Sequence, residues 1–193
     1  MKTIKINAYR FKELSDKAKA NAMDTYYSNH FDETWYDFIE EDAKTFKLSL
    51  DGFQIDRRIC DLSFVDNAEE TAKAIMCWNL PEESKLLEHA REWILEVNSL
   101  FKTYNSYDSY ISWLNENGMV EDDYDFDEWV LEESGYQDDK VSVDSDFLRQ
   151  LEYEFLEYLE SEYEHICSEE YISGYYDANE WLFDINGNII SYE

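Results

Sequence analysis

Glycine and proline are scarce in this 193-residue chain, five and one respectively. Long structureless stretches are rich in such breakers, so their scarcity argues for regular structure nearly throughout. Cysteine is scarce too. Cys60, Cys77 and Cys167 form no close pair, which excludes a disulfide-stapled scaffold and reads as buried free thiols in a reducing compartment. No run approaches the ~18 uninterrupted apolar residues that span a bilayer. The start, MKTIKIN, lacks the apolar core of a secretory signal, so the expected setting is the cytoplasm. Histidine is limited to His30, His89 and His165. There is no serine nucleophile elbow, no Cys-x-x-Cys, no glycine-rich phosphate loop and no His-Glu-x-x-His. Among so many carboxylates no pair is singled out for glycoside hydrolysis. Neither an enzymatic activity nor a cofactor is expected.

Positive charge is the scarcest property of all. Sixteen Lys and Arg face 46 Asp and Glu, a net charge of −30. Residues 121–193 hold 24 of the acids against Lys140 and Arg149 alone, a net −22, which leaves −8 for the first 120 residues. Charge of this size costs stability through self-repulsion and bears on partners and association rates rather than on fold. It repels nucleic acid and anionic membrane alike, so no direct nucleic-acid or membrane contact is expected. The expected partner is basic, a protein that itself binds nucleic acid or another polyanion. A halophilic origin fits poorly with eleven lysines and few glycines.

What remains is ample for a core: 44% of the residues are apolar and 17% aromatic. The aromatics interleave with the acids, as in Asp123-Tyr124-Asp125-Phe126-Asp127-Glu128-Trp129, whereas disordered acidic tails lack them. The expectation is a single α+β domain over residues 1–193, mostly helical, with a small antiparallel sheet and an acidic helical part from about residue 121. Residues 3–11 alternate as a half-buried strand. Ser15 can cap a helix over residues 16–27 with Ala18, Ala22, Met23 and Tyr26 on one face. Asp32 is placed to cap a second helix, with Trp35, Phe38, Ile39, Ala43 and Phe46 in the core. Strands follow over residues 48–56 and 58–65, with a bulge at Gly52 and a turn at Asp56-Arg57.

Asn67 opens a short helix. Pro81 suits the first turn of a long one whose Leu86, Leu87, Ala90, Trp93, Ile94, Val97 and Phe101 form an apolar stripe. Helices over residues 107–116 and 125–134 stop at Gly118 and Gly135. The longest covers residues 144–168. Residues 181–185 and 188–192 pair around Asn186-Gly187 as a two-residue hairpin. The sheet is expected to join the N-terminal strand, the 48–65 pair and this hairpin.

Turning the longest helix by 100° per residue gathers Leu148, Leu151, Phe155, Leu159 and Ile166 in a band of about 80°, the buried side. Glu154, Glu157, Glu160 and Glu164 fall on the far side. They recur roughly every 5 Å along the axis, a spacing close enough to that of a phosphate row for a helix to imitate one. With no lysine at i+4 to relieve them, the three neighbour pairs cost roughly 1 kcal/mol. A second block comprises Asp122, Asp123, Asp125, Asp127, Glu128, Glu132, Glu133, Asp138 and Asp139. Several of these open helices, where the dipole favours anions, so part of the run has a structural reason. Together the two blocks form the expected partner-binding surface. Asp123, Asp125 and Asp127 have the first spacings of a calcium loop, but Glu128 stands where glycine is needed and Ser134 where a bidentate glutamate belongs. No dedicated metal site is expected.

Two stretches resemble a family of phage and prophage accessory proteins often labelled as the antitoxin of a toxin–antitoxin stability system. One is YRFKELSDKAKANA at residues 9–22 with the helix WYDFIEEDAK at residues 35–44; the other is ANEWLFDING at residues 178–187. The family brings no catalytic residue. The resemblance implies a mobile-element setting, in which an anti-defence role is natural. Acidic phage proteins that imitate DNA and block restriction or CRISPR effectors share this physical profile, though not an alignable sequence. The functional expectation is such an inhibitor, with an antitoxin that sequesters a basic toxin as the alternative and an enzyme as the more distant one.

Overall fold

The computed structural model describes residues 7–120 and 125–190. In chain order its helices are α1 (Asp16–Asn29), α2 (Asp37–Thr45), α3 (Ala68–Cys77), α4 (Lys85–Tyr104), α5 (Tyr107–Asn117), α6 (Phe126–Glu132), α7 (Tyr136–Ile166) and α8 (Glu169–Ala178). Strands β1 (Leu48–Gln54) and β2 (Ile59–Phe64) lie between α2 and α3 and pair antiparallel. The class is α+β, mostly helical with one small sheet. The chain divides into two compact units: Met1–Asp37 with Leu159–Glu193, and Phe38–Tyr158.

In the first unit, Ser15 caps α1 by accepting the Ala18 N–H at 3.4 Å. Ala18 and Ala22 are fully buried, and such small side chains let aromatic rings approach the helix backbone. The Tyr176 hydroxyl from α8 donates to the Ala22 carbonyl at 2.7 Å. Its ring stands edge-on to Phe183, with centroids 4.8 Å apart, and tilted against Phe11 at 5.7 Å. Phe11, Leu14, Tyr26 and Ile172 complete this core. Burying each such large side chain is worth about 1.5–3 kcal/mol.

The expected N-terminal strand shrinks to one bridge in which Tyr9 and Phe183 exchange N–H···O bonds of 2.9 Å, and Phe11–Glu13 turns into a single 3-10 turn. Residues 3–6 of that strand lie outside the described residues. Among the described residues the C-terminal hairpin closes through one bridge, Phe183 to Ile189, around a longer turn than the two-residue one expected, and residues 191 and 192 of its second strand lie outside them. The Asp184 carboxylate sets it by accepting the N–H groups of Asn186 and Asn188 at 2.8 and 3.0 Å. Those bonds hold the Asp184 carboxyl below its usual range, the Asn188 side chain contributing most. Gly187 has φ +85°, and a Cβ there would meet the Ala18 carbonyl oxygen at 2.0 Å. Asp32 does not start a helix. Its carboxylate holds the Thr34 N–H and hydroxyl at 2.9 and 2.8 Å in a turn, and α2 begins five residues later.

In the second unit, β1 and β2 run in register from Leu48 opposite Phe64 to Gln54 opposite Ile59, with the break between Leu50 and Gly52 that the glycine predicts. Their connection, Ile55–Arg57, ends on Arg58 in the left-handed region at φ 53°. Among the described residues the sheet has these two strands only, so the larger sheet expected from sequence is not formed. Leu48, Cys60 and Leu62 turn inward with Ile39 and Ala43 of α2, Ala72 and Ile75 of α3, and Leu87, Ala90 and Trp93 of α4. Phe38, expected in the core, is instead 42% exposed and rests edge-on against Tyr158. Pro81 makes a turn closed by the Ser84 N–H at 2.9 Å, and α4 starts only after it.

α7 begins eight residues earlier than predicted, directly after Gly135 at φ +88°, with Asp138 and Asp139 in its first turn where the dipole favours them. Its Leu151 and Phe155 are buried as the wheel requires, and Phe147 stacks on Phe64 at 6.2 Å. A satellite cluster joins Tyr110 and Leu114 of α5 to Trp129 and Val130 of α6. Gly118, at φ +70°, ends α5.

Candidate acidic interface

The charge divides unevenly between the units. Phe38–Tyr158 holds 31 acids and ten Lys or Arg, a net −21, and the other unit a net −9. The first unit neutralises part of its excess: Lys12 pairs with Asp177 at 3.2 Å and Lys19 with Glu169 at 2.6 Å. In the second unit most lysines are held inside their own helix. Lys44 bridges Glu40 and Glu41, Lys73 bridges Glu69 and Glu70, and Lys85 holds Glu88, all within 2.9 Å.

The predicted row on α7 is broken. Glu154 is not on the far side: its side chain is 22% exposed, and Oε1 lies 3.2 Å from His89 Nε2 of α4. On the wheel it flanks the buried band, which is why a neighbouring helix reaches it. Glu157 is paired with the Arg58 guanidinium at 2.6 Å. The absence of a lysine at i+4 is real, but Arg58 of the β1–β2 turn relieves Glu157 and α4 offers Glu154 a hydrogen-bonding partner, neither of which a single-helix argument sees. Glu160 and Glu164 belong to the other unit, half-buried and exposed respectively. The four carboxylates therefore do not act as one free row.

The second block fares differently. Asp122 and Asp123 lie outside the described residues. Asp125 is the N-cap of α6, its Oδ1 accepting the N–H groups of Asp127 and Glu128 at 2.9 and 3.3 Å. Asp127, Glu128, Glu132 and Glu133 are exposed, because Trp129 and Val130 turn the opposite face of α6 into the α5 cluster. Asp138 and Asp139 are exposed in the first turn of α7. Asp139 accepts the Tyr104 hydroxyl, a bond that raises the Tyr104 pKa. Among the described residues no Lys, Arg or His pairs with Asp125, Asp127, Glu128, Glu133, Asp138 or Asp139. Their partners, where they have any, are neutral donors, so their charge stays uncompensated.

Lys140, one turn on, is held by Asp144 at 2.6 Å, and its ammonium lies 5.5 Å from the Trp93 ring centroid. It faces a cavity of about 410 Å³ lined by Trp93, Ile94, Val97 and Phe101 of α4 together with Tyr136. His30 packs against Trp181 at 4.5 Å and His165 against Tyr171 at 5.2 Å. Among the described residues no group of three or more His, Cys, Asp or Glu is placed to hold a metal ion. No helix of the described residues is long and apolar enough to cross a membrane. No protein-family model, curated protein or solved structure matches the chain.

Proposed function

We propose that this chain is a stoichiometric inhibitor that lays the acidic surface of α6 and the start of α7 onto the nucleic-acid-binding face of a basic protein. The observation that carries the reading is the set of carboxylates at Asp125, Asp127, Glu128, Glu133, Asp138 and Asp139. They project from the start and the end of α6 and from the first turn of α7, with no cation paired to them among the described residues. A unit with net −21 attracts a basic partner over a Debye length, about 8–10 Å at moderate salt, and speeds encounter. These six carboxylates fall within fifteen residues of chain, from Asp125 to Asp139. The resemblance to phage accessory proteins makes restriction and CRISPR effectors the class of partner to try.

The test is competition. The purified chain is titrated against such an effector bound to labelled DNA, at low and at high salt. Release of DNA at one chain per effector, abolished at high salt and weakened by Asp127→Asn/Glu128→Gln/Glu133→Gln/Asp138→Asn, is the expected result. DNA release that persists unchanged in that variant rejects this surface as the binding face.

A further inference from the structure

Resting on the reading above, we propose that a recess in the second unit is an arginine pocket, which receives one guanidinium side chain of the basic partner. The recess has a volume of about 350 Å³ and is lined in part by Asp42, Phe46, Trp78, Glu154, Phe155 and Tyr158. That volume is at the small end of ligand pockets, roughly 300–1,000 Å³, and suits a single long side chain better than an extended ligand.

Four aromatic side chains line it, of which Trp78 and Tyr158 are exposed. Trp78 follows the last turn of α3, where its own N–H is satisfied by the Ala74 and Ile75 carbonyls at 3.2 Å. Yet its side chain is 56% exposed and stands edge-on to buried Phe46, with centroids 6.3 Å apart. Tyr158 is 43% exposed, and Phe155 beside it is buried. An exposed tryptophan beside a recess is the residue type that interfaces use as an anchor.

The charges at the recess select the occupant. Asp42 is exposed and has no cation paired to it among the described residues. Glu154 offers a second, half-buried carboxylate, one oxygen of which lies 3.2 Å from His89 Nε2. Among the described residues the only cation in the lining is Lys85, whose ammonium is already 2.5 Å from Glu88. Two carboxylates over aromatic walls match a planar guanidinium, which stacks on rings, forks onto carboxylates and gives up water readily. An ammonium is a compact, strongly hydrated charge and gains less in such a place.

The probes are fluorescent oligo-arginine and oligo-lysine peptides of equal length, titrated against the full chain at fixed low salt. The arginine peptide is expected to bind tighter by about tenfold, the size of a cation–π contact with partial desolvation. Trp78→Ala should remove that preference while leaving the lysine peptide unchanged, and Asp42→Asn should weaken the arginine peptide more than the lysine one. Both substitutions are at exposed side chains, and circular dichroism checks that each variant is folded; should Trp78→Ala unfold, Asp42→Asn carries the decision. Equal binding of the two peptides, or an equal loss of both in these variants, overturns the pocket. Salt-dependent but equal binding leaves the acidic surface standing, whereas no binding of either peptide overturns both.

Discussion

The Glu157 carboxylate on α7 lies 2.6 Å from the guanidinium of Arg58, the left-handed residue that ends the β1–β2 turn. Both side chains are about half exposed, so the pair contributes at most about 1 kcal/mol. Its larger effect is to cancel one charge of an otherwise anionic helix. Arg58→Gln should therefore cost less than about 1 kcal/mol in urea denaturation. The same variant should bind a basic peptide more tightly than the parent does, and weaker binding would contradict the assignment of Glu157 as a masked acid.

Asp127→Asn/Glu128→Gln/Glu133→Gln/Asp138→Asn removes charge where nothing compensates it. Binding to a basic partner should fall by about tenfold or more at low salt and lose much of its dependence on salt. Thermal stability should change little, since relief of like-charge repulsion offsets the lost interaction with the two helix dipoles. A melting temperature that drops by many degrees would mean that these side chains serve the fold.

Gly187→Ala probes the turn that Asp184 organises. The new methyl group would lie 2.0 Å from the Ala18 carbonyl oxygen, at a φ of +85° that L residues avoid. A loss of at least about 2 kcal/mol is expected, the left-handed strain and the clash adding. A neutral effect on urea unfolding would show that the turn does not press on α1.

Burial pushes the hydroxyls of Tyr26 and Tyr176 up to about 12. A group whose folded pKa lies above its unfolded value, about 10 for tyrosine, contributes stability that is complete below the unfolded value. That contribution is lost as pH rises through the folded value. The first unit should hold to about pH 10 and lose stability between there and about pH 12. Tyr176→Phe gives up the bond to the Ala22 carbonyl, about 1 kcal/mol at neutral pH, and should flatten the alkaline loss. Tryptophan fluorescence followed against pH reads both effects.

The local features of this fold were legible because they depend on neighbours in sequence. Ser15 and Asn67 cap α1 and α3, Gly52 marks the strand irregularity, and Gly118 stops α5, each by chemistry confined to a few residues. One failure is local, and the others lie where distant segments decide. Asp32 has the side chain of a helix cap, but Thr34 offers it a turn first. Residues 3–11 alternate like a strand, yet Tyr9 alone makes a bridge among those described. For the acidic surface, periodicity placed Leu151, Phe155 and Leu159 inside, and they are. It could not show that Arg58 and His89, far away in sequence, would meet Glu157 and Glu154. Trp78 carried no signal either, since a lone tryptophan after a helix reads as core.

Lys44, Lys73 and Lys85 clasp acids one turn away in their own helices, and each cancels one carboxylate charge, the pair leaving only a tiny dipole whose field fades within a few ångströms. An approaching molecule thus senses almost none of them. What reaches outward is the monopole of the surplus, as though each such cation and one acid had been removed from view together, and only dissolved salt is left to blunt it.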